Sequence, residues 1–236
     1  DLELIALARI APTWLADGII TLARNTDLRD TVGRITSAIR DAEGAAFDDA
    51  VYPMPQWSPI GGFAIDRALI FAIVKQESNF RPNRVSPRGA RGPMQILPRT
   101  ATYIVEKTSL SSRLRDLDDP TVNLTIGQRY VRYLMEQEPI RGNLFMLAVA
   151  YNAGIGNLAR WLAETNFEDD PLLFIEAIPS AETREFIERV MAAMWVYQRR
   201  LGLPTPTLDA IVLGEWPIYA STDDAQRGAV QNAQNR

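Results

Sequence analysis

Seven consecutive residues, Ala68 to Val74, are apolar, and a helix with no polar face is normally buried. Asp66 stands where an N-cap is expected. The charged and polar groups of Lys75-Gln76-Glu77-Ser78 follow the run, so they emerge only where the helix leaves the core. A helix-end glutamate is ordinarily solvated. Here the next stretch, Asn79 to Leu97, carries Pro82, Pro87, Gly89, Gly92 and Pro93, too many breakers for regular structure. Val85, Met94, Ile96 and Leu97 nevertheless call for packing, and the stretch is expected to fold as a wall beside Glu77. A carboxyl held against apolar surface tends to stay protonated, because desolvation penalises the anion. That is the state a general acid needs.

The rest of the chain has helical spacing and little strand-like alternation, which predicts an all-α fold. Pro98 to Lys107 reads as a helix with proline in its first turn, and Asp119-Pro120 opens another with Val122, Ile126, Tyr130, Val131 and Leu134 on one stripe. Asp116, Asp118 and Asp119 lack the glycine and terminal glutamate of a calcium-binding loop, and are read as a link and a cap. A second run without a polar face, Asn143 to Tyr151, leads into Asn152-Ala153-Gly154. Asn157 to Glu164 restarts as a helix, Asp170-Pro171 opens a short one to Ala177, and Ser180 caps a long one ending near Gly202.

At 236 residues the chain is long enough for one domain plus an extension, and 47% hydrophobic with 23% charged residues is ordinary globular composition. The net charge of -4 leaves no electrostatic footprint for nucleic acid, although 23 of the 25 basic residues are arginine. There is no cysteine and no histidine. Catalysis must therefore rest on carboxylates, hydroxyls, amides or lysine, and the usual thiol, imidazole and zinc chemistries are excluded. No apolar run approaches the ~20 residues that span a bilayer. Beginning at Asp1, the chain reads as a processed or trimmed product.

Domain organisation follows the breakers. Residues 1 to 50 read as short amphipathic helices, over 2–10, 12–24 and 28–40, like the last units of a helical superhelix. Residues 51 to 65, with Pro53, Pro55, Pro59 and Gly61-Gly62, form the expected linker. Residues 66 to 203 make the main domain. Residues 204 to 236 are a tail that straps back through Trp216 and Ile218 before a polar, mobile end.

Two buried helices thus end in polar groups, one in Glu77 and the other in Tyr151-Asn152, while a third carries Glu182 in its first turn, where the macrodipole favours an anion. If these ends converge they line a cleft with an acid, an aromatic, amides and hydroxyls. Such a cleft suits carbohydrate binding and glycosidic cleavage.

From about Ile70 to Leu201 the chain resembles the catalytic domain of soluble lytic transglycosylases, lysozyme-like enzymes that cleave peptidoglycan. The matching pieces are Gln76-Glu77-Ser78, Ser86-Pro87 with Gly89-Ala90-Arg91-Gly92, Met94-Gln95, and Pro98 with Thr100-Ala101. They continue with Asn123-Leu124, Gly127 and Tyr130, then Ala150-Tyr151-Asn152-Ala153-Gly154, then Ile178-Pro179 with Glu182-Thr183-Arg184. Pro93 departs from the usual leucine before Met-Gln.

The resemblance implies a lysozyme-like domain behind the end of a superhelix, a chain that is the C-terminal part of a longer protein, and a periplasmic location. It implies Glu77 as the sole acid/base for the bond between N-acetylmuramic acid and N-acetylglucosamine, leaving 1,6-anhydro ends. It implies Ser86 and Gln95 as substrate binders near the N-acetyl group, Met94 as a cleft wall, Tyr151 as a partner close to Glu77 beside Asn152, and Glu182 as a supporting residue. Peptidoglycan strands are the implied partner, with no cofactor and no metal. A hydrolytic muramidase, with Glu182 positioning water, and a glycan-binding protein without activity stay open.

Overall fold

The computed structural model describes residues 51–107 and 116–222. The chain divides into two compact units, Asp1–Gln56 and Trp57–Arg236. All helices below belong to the second. The helices expected over residues 1 to 50, the superhelix they would end and the polar last residues lie outside the described residues. Among the described residues there is no β-strand, only isolated bridges, so the all-helical expectation holds.

Helix α1 spans Arg67–Ser78 and buries every residue from Ala68 to Val74. Its one fully buried hydroxyl, on Ser78, donates to the Val74 carbonyl at 3.1 Å, so no polar group is left orphaned there. Asn79 ends the helix in the left-handed region, at φ 49°, with its N–H on the Lys75 carbonyl. Phe80 is left-handed too, at φ 60°, and its ring anchors that turn by packing at 5.8 Å from Phe71 and 5.9 Å from Trp57.

Helices α2 (Pro98–Lys107), α3 (Pro120–Met135) and α4 (Leu144–Ala153) follow. Asp119 caps α3 by accepting from Thr121 and Val122, and Asn143 caps α4 by accepting from Phe145 and Met146. Next come α5 (Ile155–Glu164), α6 (Pro171–Ala177, capped by Asp170), α7 (Ala181–Arg200, capped by Ser180) and α8 (Pro206–Val212). The long α7 packs against both apolar helices, α1 and α4, and α4 also meets α3 and α5. The first apolar run is thereby buried throughout, and the second is buried except at Met146 and Tyr151, which stay half-buried.

Residues 57–65, the second half of the expected linker, lie hydrogen-bonded along α3. Ile60 N–H donates to Thr125 Oγ1 at 2.8 Å, Ala64 N–H to Gln128 Oε1 at 2.9 Å, and Arg132 donates to the Ala64 carbonyl at 2.9 Å.

Two local readings are corrected. Asp66 holds the N-cap position of α1, yet its side chain does not cap the helix. Its carboxylate accepts instead from Tyr219 and Ser221 through Oδ1, and from the N–H and hydroxyl of Thr222 through Oδ2. The donors lie about 150 residues away in sequence, so local spacing carried no trace of them. The tail is also more regular than expected: α8 forms where Pro206 starts a turn and buried Thr207 accepts from Trp195 Nε1 at 3.0 Å. Beyond α8, Trp216 donates to Asp169 at 2.8 Å and meets Phe174 edge-on at 5.5 Å. Ile218 fastens by backbone, through a bridge to Asn143, and keeps its side chain exposed.

Candidate active site

Glu77 occupies the last turn of α1, where the carbonyl end of the macrodipole already disfavours an anion. Burial is the largest influence on its carboxyl; Arg84 opposes it, Glu182 adds to it, and the pKa is pushed up to about 8. Among the described residues no protein group hydrogen-bonds the carboxyl. At neutral pH it therefore holds a proton it can deliver.

The carboxyl faces a cavity of about 450 Å³, lined by Glu77, Ser86, Gln95, Tyr151, Asn152 and Glu182 among others. That volume suits a small-ligand cleft. Three helix ends expected to converge do so: α1 brings Glu77, α4 brings Tyr151 and Asn152, and α7 brings Glu182.

The wall between Asn79 and Leu97 is folded by main-chain bonds. Val85 bridges to Arg91 and Arg91 to Ile96. Ser86 N–H donates to the Ala90 carbonyl at 2.9 Å, and Ser86 Oγ accepts from Ala90 N–H at 3.0 Å, which leaves the hydroxyl hydrogen for the cavity. Gln95 sits at φ 46°, in the left-handed region that residues other than glycine adopt uncommonly. Its Nε2 donates to the carbonyls of Arg84 and Gly92, both at 2.9 Å, so Oε1 remains an acceptor for an amide hydrogen.

Asn123, fully buried on α3, holds this wall from behind. Its Oδ1 accepts from Met94 N–H at 2.8 Å, while its Nδ2 donates to the carbonyls of Arg91 at 3.0 Å and Leu117 at 2.9 Å. Gly92, at φ 76°, fits only because it lacks a Cβ, which would fall 2.0 Å from the Leu117 carbonyl oxygen.

Tyr151 donates its hydroxyl to the Met94 carbonyl at 2.7 Å. The ring stacks on Phe186 at 6.3 Å and tilts against Tyr130 at 5.4 Å. Burial first, then the nearby Glu77 carboxyl and Tyr130, raise its pKa well above the ordinary value. It therefore stays a neutral hydroxyl beside the acid, with its oxygen lone pairs open to a hydrogen from Glu77 or substrate. Asn152 Oδ1 accepts from the buried Thr183 hydroxyl at 2.7 Å, which aims the amide N–H groups elsewhere.

Met94 departs from its expected place. Its side chain is fully buried and does not line the cavity. It packs under the wall against α3, where a Cβ on Gly127 would fall 2.1 Å from Met94 Sδ. Met94 meets the site by its carbonyl, as the acceptor that sets Tyr151.

Arg84, Arg88, Thr100 and Tyr130 also line the cavity and were not singled out as site residues by sequence. Tyr130 stands in the sequence as one member of an apolar helical stripe, where tyrosine reads as core, and as one of the pieces matching the resemblance, without a site role. The arginines sit in a breaker-rich loop, where cations are ordinary. Among the described residues no group of three acidic residues is placed to hold a metal ion.

Residues 60–174 match the family model described as the transglycosylase SLT domain. Those residues belong to the SLT family. The SLT match contains Glu77, Ser86, Gln95, Tyr151 and Asn152, and it stops before Glu182. Over 149 residues the chain is 38% identical to the soluble lytic murein transglycosylase of Escherichia coli strain K12, covering 62% of this chain and 23% of that protein. The chain thus spans about a quarter of the length of that curated relative. Among solved structures, it is similar to the 70 kDa soluble lytic transglycosylase of E. coli, with a TM-score of 0.64 and 28% identity, covering 92% of this chain and 34% of that one. It is also similar to an inactive mutant of the lytic transglycosylase Slt from Pseudomonas aeruginosa, with a TM-score of 0.62 and 27% identity, covering 85% and 32%. The lysozyme-like fold expected for the SLT domain is the fold observed.

Proposed function

We propose that this chain is a peptidoglycan lytic transglycosylase in which Glu77 acts as both acid and base. The observation that supports this most is the half-buried carboxyl of Glu77, which has no hydrogen-bond partner among the described residues, opens on a cavity lined by hydroxyls and amides, and has its pKa pushed up to about 8, chiefly by desolvation. In the first step the Glu77 proton passes to the glycosidic oxygen between N-acetylmuramic acid and N-acetylglucosamine, and the C1–O bond breaks. In the second, the Glu77 carboxylate removes the proton of the muramic 6-hydroxyl while O6 bonds to C1. The product is a 1,6-anhydro end, no water is consumed, and Glu77 regains its proton.

Within this reading Ser86 donates to, and Gln95 and Asn152 hydrogen-bond, the amide and hydroxyl groups of the sugars. Tyr151 orients the Glu77 hydrogen. The proposal extends to organisation: residues 66 to 203 as catalytic domain, the first fifty as the end of a superhelix, and the periplasm as the compartment, since the substrate lies there. No helix among the described residues is long and apolar enough to cross a membrane.

Glu182 supports a second reading, because it is a second carboxylate in the same cavity and could position water for hydrolysis. Its influence is the smallest of the three on Glu77, and it is exposed at the start of α7. Digestion of purified peptidoglycan followed by mass spectrometry separates the two. Anhydro muropeptides, lighter than the reducing products by one water, support transglycosylation; reducing ends alone would transfer the role of second catalyst to Glu182.

A further inference from the structure

Of the four arginines in the wall loop, Arg84, Arg88 and Arg91 have different fates. Arg91 is ion-paired with Asp118, which fixes it against the segment leading into α3. Arg84 and Arg88 are exposed, line the cavity, and have no carboxylate partner among the described residues. Their main chain is nonetheless held firmly. The Arg84 carbonyl accepts from Gly92 N–H at 3.0 Å and from Gln95 Nε2 at 2.9 Å, and Arg88 rides a tight turn closed by Gly89 N–H on the Ser86 carbonyl at 2.8 Å.

Two guanidinium groups therefore project from a fixed base, and Arg84 is close enough for its charge to act on Glu77. With Glu77 neutral, cations outnumber anions in this cavity, in a chain whose net charge is -4. A locally inverted sign in a cleft concentrates anions there. The guanidinium fork matches a carboxylate with two parallel hydrogen bonds, which sugar hydroxyls do not reproduce.

We propose that Arg84 and Arg88 form a carboxylate-reading edge of the cleft, selecting strands whose muramyl units carry free carboxylates. The inference rests on the reading of murein as substrate. Murein offers that chemistry from two sources: the carboxylates of the peptide stems, or the lactyl carboxylate of muramic acid once a stem has been removed. Ser86 lies between the two arginines on the same loop, so the edge and the sugar-binding wall are one structure.

Binding isotherms measured on the Glu77→Gln protein, which prevents turnover, compare three probes: strands with intact stems, strands trimmed by an amidase, and a chito-oligosaccharide without carboxylates. Arg84→Gln with Arg88→Gln is expected to weaken binding of carboxylate-bearing strands by about 10- to 100-fold, the range for lost charge-assisted hydrogen bonds. Chito-oligosaccharide affinity stays within about twofold on the same principle. Loss confined to intact strands assigns the stem carboxylates, and loss on trimmed strands assigns the lactyl group. Equal weakening for the chito-oligosaccharide, or no change with any probe, overturns the proposal. Arg84→Lys with Arg88→Lys keeps the charge without the fork and is expected to recover only part of the affinity. Wild-type protein that binds with this selectivity yet forms no anhydro ends would reject the proposed reaction while leaving the edge intact.

Discussion

Helix α1 carries a carboxylic acid at each end, and the two are treated in opposite ways. Asp66, 3% exposed, meets four donors from Tyr219, Ser221 and Thr222, so both of its oxygens are occupied. Glu77, one helix length away, meets none and faces a cavity. The same functional group is a fastening at one end and, in the proposed reaction, a reagent at the other. The difference lies in the surroundings: donors use up an oxygen, whereas burial without donors leaves a proton available.

The sharpest way to break that comparison is to remove the reagent. Glu77→Gln is expected to lower kcat by about 10²- to 10⁴-fold, the usual worth of a positioned acid/base, with circular dichroism and melting behaviour retained. Anhydro-muropeptide release is the readout. Removing the fastening is the counterpart. Asp66→Ala strands several buried donors and is expected to cost about 2–4 kcal/mol in urea unfolding, while activity per folded molecule changes far less than in Glu77→Gln. A loss of catalysis at full stability would show that Asp66 is more than a fastening.

Titration sharpens the contrast further. With Glu77 titrating at about 8, kcat/KM in the free enzyme falls as pH rises through that value, because the acid form is the active one. Arg84→Gln removes a lowering influence and moves this limb to higher pH; Glu182→Gln removes a raising one and moves it down. The stability sign is also fixed. A carboxyl whose folded pKa lies above its unfolded value of 4.5 favours the fold at low pH, and that contribution is lost as pH rises toward about 8. Glu77→Gln should therefore flatten the decline in stability between those limits. The smallest effect is expected from Thr183→Val, which deprives Asn152 Oδ1 of its donor: about 1 kcal/mol of stability, with a rise in KM exceeding the fall in kcat.

Much of this was legible in sequence because it depended on local order. An apolar run ending in Lys-Gln-Glu-Ser fixes where an acid leaves a core, and Asp119, Asp170 and Ser180 cap the helices they precede. What was missed depended on distant partners or on direction. The Asp66 carboxylate waits for residues near the other end of the chain. The resemblance implies Met94 as a cleft wall, yet beside the left-handed Gln95 its side chain is buried under the wall while Gln95 lines the cavity. Arg84 and Arg88 could be recognised only by contrast with the paired Arg91, a contrast that exists in space alone.

Asn123 has a consequence for how the cleft wall meets any ligand. One amide from α3 satisfies main-chain groups of Arg91, Met94 and Leu117, so a stretch without helix or strand behaves as part of the scaffold. The disorder of that stretch is removed during folding, before any ligand arrives. In the proposed reaction a glycan strand would meet a surface already set, and would pay little for ordering it. Amide hydrogen exchange at Met94 should accordingly be slow without ligand, and little slower with it.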